Sequence, residues 1–333
     1  MAVASEDGST SSARRVIVTG GAGFIGSHVA DVFLADAYDV LVVDDLSAGS
    51  EANVPAGARF ERLDIVDAPT LTRAFANFEP TTVCHLAAQA SVTASVQDPA
   101  HDMSVNVVGT FNVLEAARAS KAPVTFASTG GALYGEDAPR PSTEDTWAEP
   151  LSPYGASKLA AESYVRTWGV LHGLPNVVLR LANVYGPRQS PHGEAGVVAI
   201  FSERLHNGET PRVFGDGLQT RDYLYVGDVA SAFLASARSG KAATYNVGTG
   251  RESSVLDLLE VLQPLAPAVR EPEFAPARAG ELRHSAIDAT RLREALGWEP
   301  RVDLREGLAL TYASYAAANS NGSESAISAS RGA

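Results

Sequence analysis

At 333 residues the chain is long enough for one large domain or two joined ones, and 45% hydrophobic with 20% charged residues is a globular composition. A net charge of −13 argues against nucleic acid or an anionic membrane surface as a partner, and a single cysteine excludes an internal disulfide. No apolar run approaches the roughly 20 residues of a membrane span, and the Ser/Ala/Gly-rich start has no apolar signal core, so the cytoplasm is the expected compartment.

Residues 1–13 and 319–333 are small and polar and read as disordered tails. Between them strand-like and helix-like segments alternate. Val16-Ile17-Val18 is a short apolar strand, and Thr19-Gly20-Gly21-Ala22-Gly23-Phe24-Ile25-Gly26 opens from it into helical spacing as far as Ala35. Strand, glycine turn and helix are the setting of a dinucleotide-phosphate site. The turn lets backbone approach the pyrophosphate, and the helix N-terminus offers N–H groups and a positive dipole end. Gly20, Gly23 and Gly26 follow a G-x-x-G-x-x-G spacing, a variant of the common G-x-G-x-x-G. The second strand, 39–44, ends in Asp44, where an acid hydrogen-bonds the adenosine ribose of NAD and repels the 2′-phosphate of NADP. Asp45 reinforces that exclusion, so NAD is the expected cofactor.

Further strands are predicted at 59–63, 82–86, 124–128 and 177–181, and helices at 69–78, 104–119 and 154–171. The alternation predicts an α/β fold, a doubly wound, mostly parallel Rossmann sheet with helices on both faces. Cys84, inside an apolar strand, reads as a buried, inert thiol. After residue 186 Gly, Pro and charged residues thicken, and a helix near 196–207 with short strands predicts a smaller C-terminal substrate-binding lobe. A helix at 228–237 and a strand at 244–248 return to the large sheet, and helices at 254–265 and 288–296 follow. The expected NAD-binding domain is 14–186 plus about 226–252, and the lobe about 187–225 plus 253–318. Their cleft faces the carboxyl ends of the strands, where such folds bind ligands. No metal site is expected.

Tyr154-Gly155-Ala156-Ser157-Lys158 puts a tyrosine and a lysine at i and i+4, on one helix face. A tyrosine ionises near pH 10, which makes it a poor base at neutral pH. A nearby ammonium and the charge of an oxidised nicotinamide both stabilise the phenolate. Tyr154 and Lys158 are therefore the candidate catalytic pair.

Together these residues resemble the extended short-chain dehydrogenase/reductase superfamily, and within it the UDP-sugar epimerases of the UDP-glucose 4-epimerase kind. The resemblance runs from about Arg15 to Gly307. It includes His85-Leu86-Ala87-Ala88-Gln89-Ala90-Ser91-Val92, Val105-Asn106-Val107-Val108-Gly109-Thr110 and Asn183-Val184-Tyr185-Gly186-Pro187-Arg188. Gly215-Asp216-Gly217-Leu218-Gln219-Thr220-Arg221-Asp222-Tyr223, Tyr245-Asn246-Val247-Gly248-Thr249-Gly250 and Arg278-Ala279-Gly280-Glu281 complete it.

The resemblance implies a resident NAD and inversion at C4 of a UDP-hexose. It implies that Gly20, Gly23, Phe24, Ile25, Gly26, Asp44, Asp45, Leu86, Ala87, Ala88, Asn106 and Lys158 hold the cofactor, with Asp64 and Ile65 at the adenine. Val92, Val197 and Tyr223 fall to the UDP-sugar. Asn183 with Arg212 and Phe214 holds the uridine, Arg221 and Arg278 clamp the two phosphates bidentately, and Glu281 meets the uridine ribose. A homodimer through the tyrosine-bearing helix and its neighbour is implied as well.

The family sets a hydroxyl just after the fifth strand to steady the sugar O4. Thr129 is the first choice and Ser128 the second, because the usual serine position falls on Gly130. The dehydratases of the superfamily carry an acid just after this Thr; here Gly130 and Gly131 follow and the next acid is Glu136, which disfavours dehydration. Ser190 and Arg188 leave UDP-glucuronate as an alternative substrate. An NAD-linked keto-sugar reductase and a nucleotide-sensing regulator are the alternatives of other classes.

Overall fold

The computed structural model describes residues 14–192, 196–277 and 282–330, with side chains to 317. The expected tail at 1–13 and the candidate residues Arg278 and Glu281 lie outside the described residues.

Strands β1 (Arg15–Thr19), β2 (Asp39–Asp44), β3 (Arg59–Arg62), β4 (Thr82–His85), β5 (Val124–Thr129) and β6 (Val177–Leu181) alternate with helices α1 (Phe24–Ala35), α2 (Ala68–Phe78), α3 (Val92–Gln97), α4 (Pro99–Met103), α5 (Thr110–Ala119) and α6 (Pro153–His172). Then come β7 (Asn183–Tyr185), α7 (Val197–His206), β8 (Arg212–Phe214), β9 (Thr220–Arg221), β10 (Tyr223–Tyr225), α8 (Val226–Ser239) and β11 (Ala243–Val247). The chain goes on through β12 (Ser253–Ser254), α9 (Val255–Leu262), β13 (Glu273–Ala275), α10 (Thr290–Leu296) and α11 (Leu304–Ser330).

Seven strands form one sheet in the order β11-β6-β5-β4-β1-β2-β3, with every neighbouring pair parallel. Successive residues of these strands are apolar because both faces are covered. Val16, Val18, Val40 and Val42 enter one core with Phe33 and Phe233. Their neighbours Ile17, Leu41 and Val43 point the other way, into a second core with Phe75 and Phe126. Strand order reverses between β1 and β4, so the crevice for a ligand opens there, at the carboxyl ends. A third core, with Tyr185, Phe201, Leu205, Val213, Leu258 and Leu308, fills the space among α7, α9 and α11. Cys84 on β4 is fully buried, and burial pushes its thiol well above the ordinary range.

Two expectations need correction. The helix foreseen at 104–119 is interrupted: α4 runs into a π-helical turn at Ser104–Gly109 before α5 begins. The Thr110 hydroxyl donates to Asn106 O at 2.7 Å inside that turn. The tail expected from 319 onward is helical backbone as far as Ser330, because an Ala- and Ser-rich run without proline does not stop α11.

Candidate active site

The glycine loop sits at the reversal point. Gly20 has φ +71°, and a Cβ there would lie 2.6 Å from Ala87 N. A Cβ on Gly26 would come 2.1 Å from Gly20 O. Both positions demand glycine, and the loop they shape ends at Gly23, from which α1 starts without a side-chain cap. Its first turn, Phe24, Ile25 and Gly26, thus presents backbone N–H groups toward the crevice. Gly23 closes the loop by donating to Gly20 O at 3.1 Å.

Asp44, at the end of β2, is buried. Its Oδ2 accepts from Ala22 N at 3.0 Å and its Oδ1 from Leu46 N at 2.9 Å. Burial raises its pKa first, and the backbone donors offset part of that. Asp45 is exposed and accepts from Ser47. Asp64 is also exposed, whereas Ile65 is core and packs on Gly109. Leu86, Ala87 and Ala88 leave β4 directly beside the glycine loop, with Leu86 N donating to Thr19 O at 3.0 Å. A backbone cradle that a Cβ would fill, with an acid at the neighbouring strand end, fits a dinucleotide.

Beneath this crevice runs a buried polar chain that sequence reasoning missed. Ala87 N donates to Thr19 Oγ1 at 3.3 Å, so the Thr19 proton is left for His85 Nδ1 at 2.7 Å. Thr110 gives its proton to Asn106 O, so it accepts from His85 Nε2 at 2.9 Å. One neutral tautomer, protonated on Nε2, satisfies every member. Burial and the nearby Lys158 push His85 down to about 3. Asn106 Oδ1 accepts from Gln89 N at 2.9 Å, and its Nδ2 reaches Gln89 O, Asp102 Oδ1 and Ser157 Oγ. Asn106 therefore ties the π turn to the β4 loop and to α6.

Tyr154 and Lys158 lie in the first turns of α6, capped by Ser152 with Pro153 at its first position. Lys158 is buried; its Nζ donates to Ala127 O at 3.0 Å and stands 4.8 Å over the Phe126 ring and 6.0 Å from the Tyr154 ring centroid. Burial pulls it down to about 8, against the raising effect of Asp102 and Glu162. Tyr154 is pushed up to about 12 by burial and by Asp102, offset in part by a hydrogen bond from Thr129. Desolvation and the Asp102 carboxylate, which no local spacing reveals, set this direction. The lowering expected from the sequence is that of the NAD-bound site, where the nicotinamide charge acts as well.

Adjacent residues of β5 face opposite ways, and this separates the two hydroxyls. Thr129 Oγ1 accepts from Ala132 N at 3.2 Å, and its hydroxyl acts on Tyr154 in favour of the phenolate. Ser128, offered as the second choice, donates instead to Glu162 Oε1 at 2.6 Å, inside a buried pair with Arg180 at 2.8 Å. Gly130 is explained by packing: a Cβ there would sit 2.6 Å from Ile287 Cδ1. Glu136 accepts from Arg283 N at 2.9 Å.

The other substrate candidates are spread over α3, β7, α7 and the strands β8 to β10. Val92 opens α3 and is exposed, and Val197 opens α7. Asn183 starts β7, and its Oδ1 would lie 3.2 Å from a Cβ on Gly131, which brings it beside the end of β5. Arg212 is exposed with its guanidinium 5.5 Å over the Phe214 ring. Arg221 Nη1 donates to Thr220 O at 2.7 Å, and buried Tyr223 stands edge-on to Tyr185. Buried Asp222 between them accepts from Thr249 and Gly250 and ties this corner to the end of β11. Arg188 has φ +67° and is held on α1 by Asp31 and by His28 Nδ1 at 3.0 Å. It is therefore engaged by an acid of the other element.

The family model described as NAD dependent epimerase/dehydratase family matches residues 16–248. A curated protein named UDP-glucose 4-epimerase, from Mycolicibacterium smegmatis, is 49% identical over 304 residues, with 89% of this chain and 97% of that protein covered. The solved structure of a UDP-glucose 4-epimerase with UDP-glucose from Thermotoga maritima has a TM-score of 0.89 at 45% identity, covering 91% of this chain and 99% of that one. The Thermus thermophilus UDP-glucose 4-epimerase complex with NAD gives 0.84 at 46%, covering 90% and 98%.

Proposed function

The chain belongs to the NAD dependent epimerase/dehydratase family, and on that premise we propose that it inverts C4 of a UDP-hexose, interconverting UDP-glucose and UDP-galactose with NAD retained. One observation carries the reading within this family. The Thr129 hydroxyl acts on Tyr154 at the end of β5, and two glycines stand where an acid would be needed to expel water from the sugar.

The cofactor is held by the glycine loop, the first turn of α1, Asp44 and the Leu86–Ala88 backbone. Bound there, NAD supplies a two-electron acceptor for C4 and a positive charge that favours the Tyr154 phenolate. Tyr154 Oη takes the proton of the sugar O4 as C4 becomes a ketone. It returns that proton after the sugar has presented its other face. Thr129 steadies O4, Lys158 holds its place against Ala127 O, and Arg221 and Arg278 serve the diphosphate. The pair Arg212 and Phe214, with Asn183, serves the uridine.

Incubation with UDP-glucose and no added cofactor, followed by separation of the C4 epimers, tests this reading. UDP-galactose is the expected product. Oxidation of added NADH with a nucleotide-bound 4-keto sugar, and no epimerization of UDP-glucose, would instead establish a reductase, and turnover of UDP-glucuronate alone would move the substrate to a uronate.

The homodimer belongs to the same proposal. Met103, Val108 and Tyr164 are exposed on the α4–α6 side, where Phe111, Tyr164 and Trp168 form an aromatic group. Light scattering at the mass of two chains is expected, and a monomer at micromolar concentration would refute it.

A further inference from the structure

Asp102, in α4, is 1% exposed, and its carboxylate is divided in use. Oδ1 accepts from Gln89 Nε2 at 2.8 Å and from Asn106 Nδ2 at 3.0 Å. Oδ2 is buried and, among the described residues, has no hydrogen-bond partner. A buried carboxylate half without partners is costly unless a charge lies close. Asn106 leads to that charge: the same Nδ2 reaches Ser157 Oγ at 3.1 Å, and Ser157 precedes Lys158.

We propose that the Asp102 carboxylate is the fixed counter-charge of Lys158, a positioning residue that keeps the ammonium beside Tyr154 and so sets the pH range of the proton transfer. The proposal rests on Tyr154 as the acid–base group. The groups around the pair are few. Glu162 of α6 also favours the ammonium, but it is bound to Arg180 of β6, to Ser128 of β5 and to Arg166. His85 of β4 is neutral, α3 brings no titratable side chain, and Glu115 of α5 is occupied by Arg118 and Trp168. That leaves Asp102 as the carboxylate acting on both Lys158 and Tyr154.

The direction follows from the signs. Asp102 favours ammonium on Lys158 and opposes phenolate on Tyr154, so removing its charge eases proton loss from both. Asp102→Asn suits the test because an amide Oδ1 can accept both existing hydrogen bonds. In the NAD-loaded enzyme, both limbs of the pH profile of kcat/KM should move toward acid by about one pH unit. Asp102→Glu, which keeps the charge, should return both limbs. Limbs unchanged in a folded Asp102→Asn variant would overturn the proposal and leave Asp102 as a brace for Gln89 and Asn106. Should that variant not fold, Asp102→Ser removes the charge with a smaller side chain and is read in the same way. Tyrosinate absorbance of each protein, with Tyr154→Phe as the blank, follows the same ionisation without turnover. It therefore reads the proposal even if UDP-hexose proves to be the wrong substrate, and an unshifted tyrosinate titration in the charge-removed variant would also overturn it.

Discussion

Ser128 Oγ and Glu162 Oε1 are 2.6 Å apart across 34 positions of chain, and this contact takes one of two neighbouring hydroxyls out of the reaction. Thr129→Val is expected to lower kcat by roughly 10- to 100-fold with little change in thermal stability. Ser128→Ala is expected to do the reverse: a loss of about 1–2 kcal/mol in stability from the buried pair, with kcat nearly intact. Paired kinetics and urea unfolding of the two variants would check this. A Ser128→Ala enzyme that is stable but inactive would assign the roles the other way round.

Tyr154→Phe is expected to lose turnover by roughly 100- to 10,000-fold while still binding UDP-sugar, because it removes the proton carrier and little of the pocket. Calorimetric titration with UDP-glucose alongside an epimer assay separates the two effects. Wild-type rates in that variant would refute the proton-transfer role.

Gly26→Ala should abolish cofactor retention. Its new Cβ would lie 2.1 Å from Gly20 O, so the loop or the start of α1 must shift. The absorbance of NAD released on denaturing the purified variant measures this. A full complement of retained NAD would mean that the cradle does not bind where it is placed here.

How much of this was legible beforehand follows from the range of each cause. The glycine spacing, the acid at the end of β2 and the β–α alternation are local patterns, so the sheet and the cofactor crevice could be read directly. Alternation along β5 said that Ser128 and Thr129 diverge, but not which one faces Tyr154, because Glu162 and Arg180 decide that from distant positions. Asp102 was hidden for the same reason. Its one local signal was a place four residues before Asn106 on a helical path, which many surface acids share. For Tyr154 one partner, Lys158, is visible in the sequence, whereas its burial and Asp102 are not.

Acid sensitivity should trace to His85. In the folded chain it stays neutral to about 3, while an unfolded histidine protonates near 6.5. The unfolded state therefore binds the extra proton between those values, and the stability present above pH 6.5 is lost as pH falls toward 3, by up to about 1.4 kcal/mol per pH unit. Urea midpoints across this range should fall for the wild type and flatten for His85→Gln. Equal slopes in the two proteins would refute this account.

Cys84, the one cysteine of the chain, is fully buried in β4 with its thiol held far from ionisation. The protein is accordingly its own blank for thiol chemistry. A cysteine placed on any exposed position, such as the surface of α7 or α2, will be the one group that takes a maleimide or a spin label in the folded state. Two such cysteines, one on α2 and one on α7, would then report the distance between these helices during turnover with no native residue to remove.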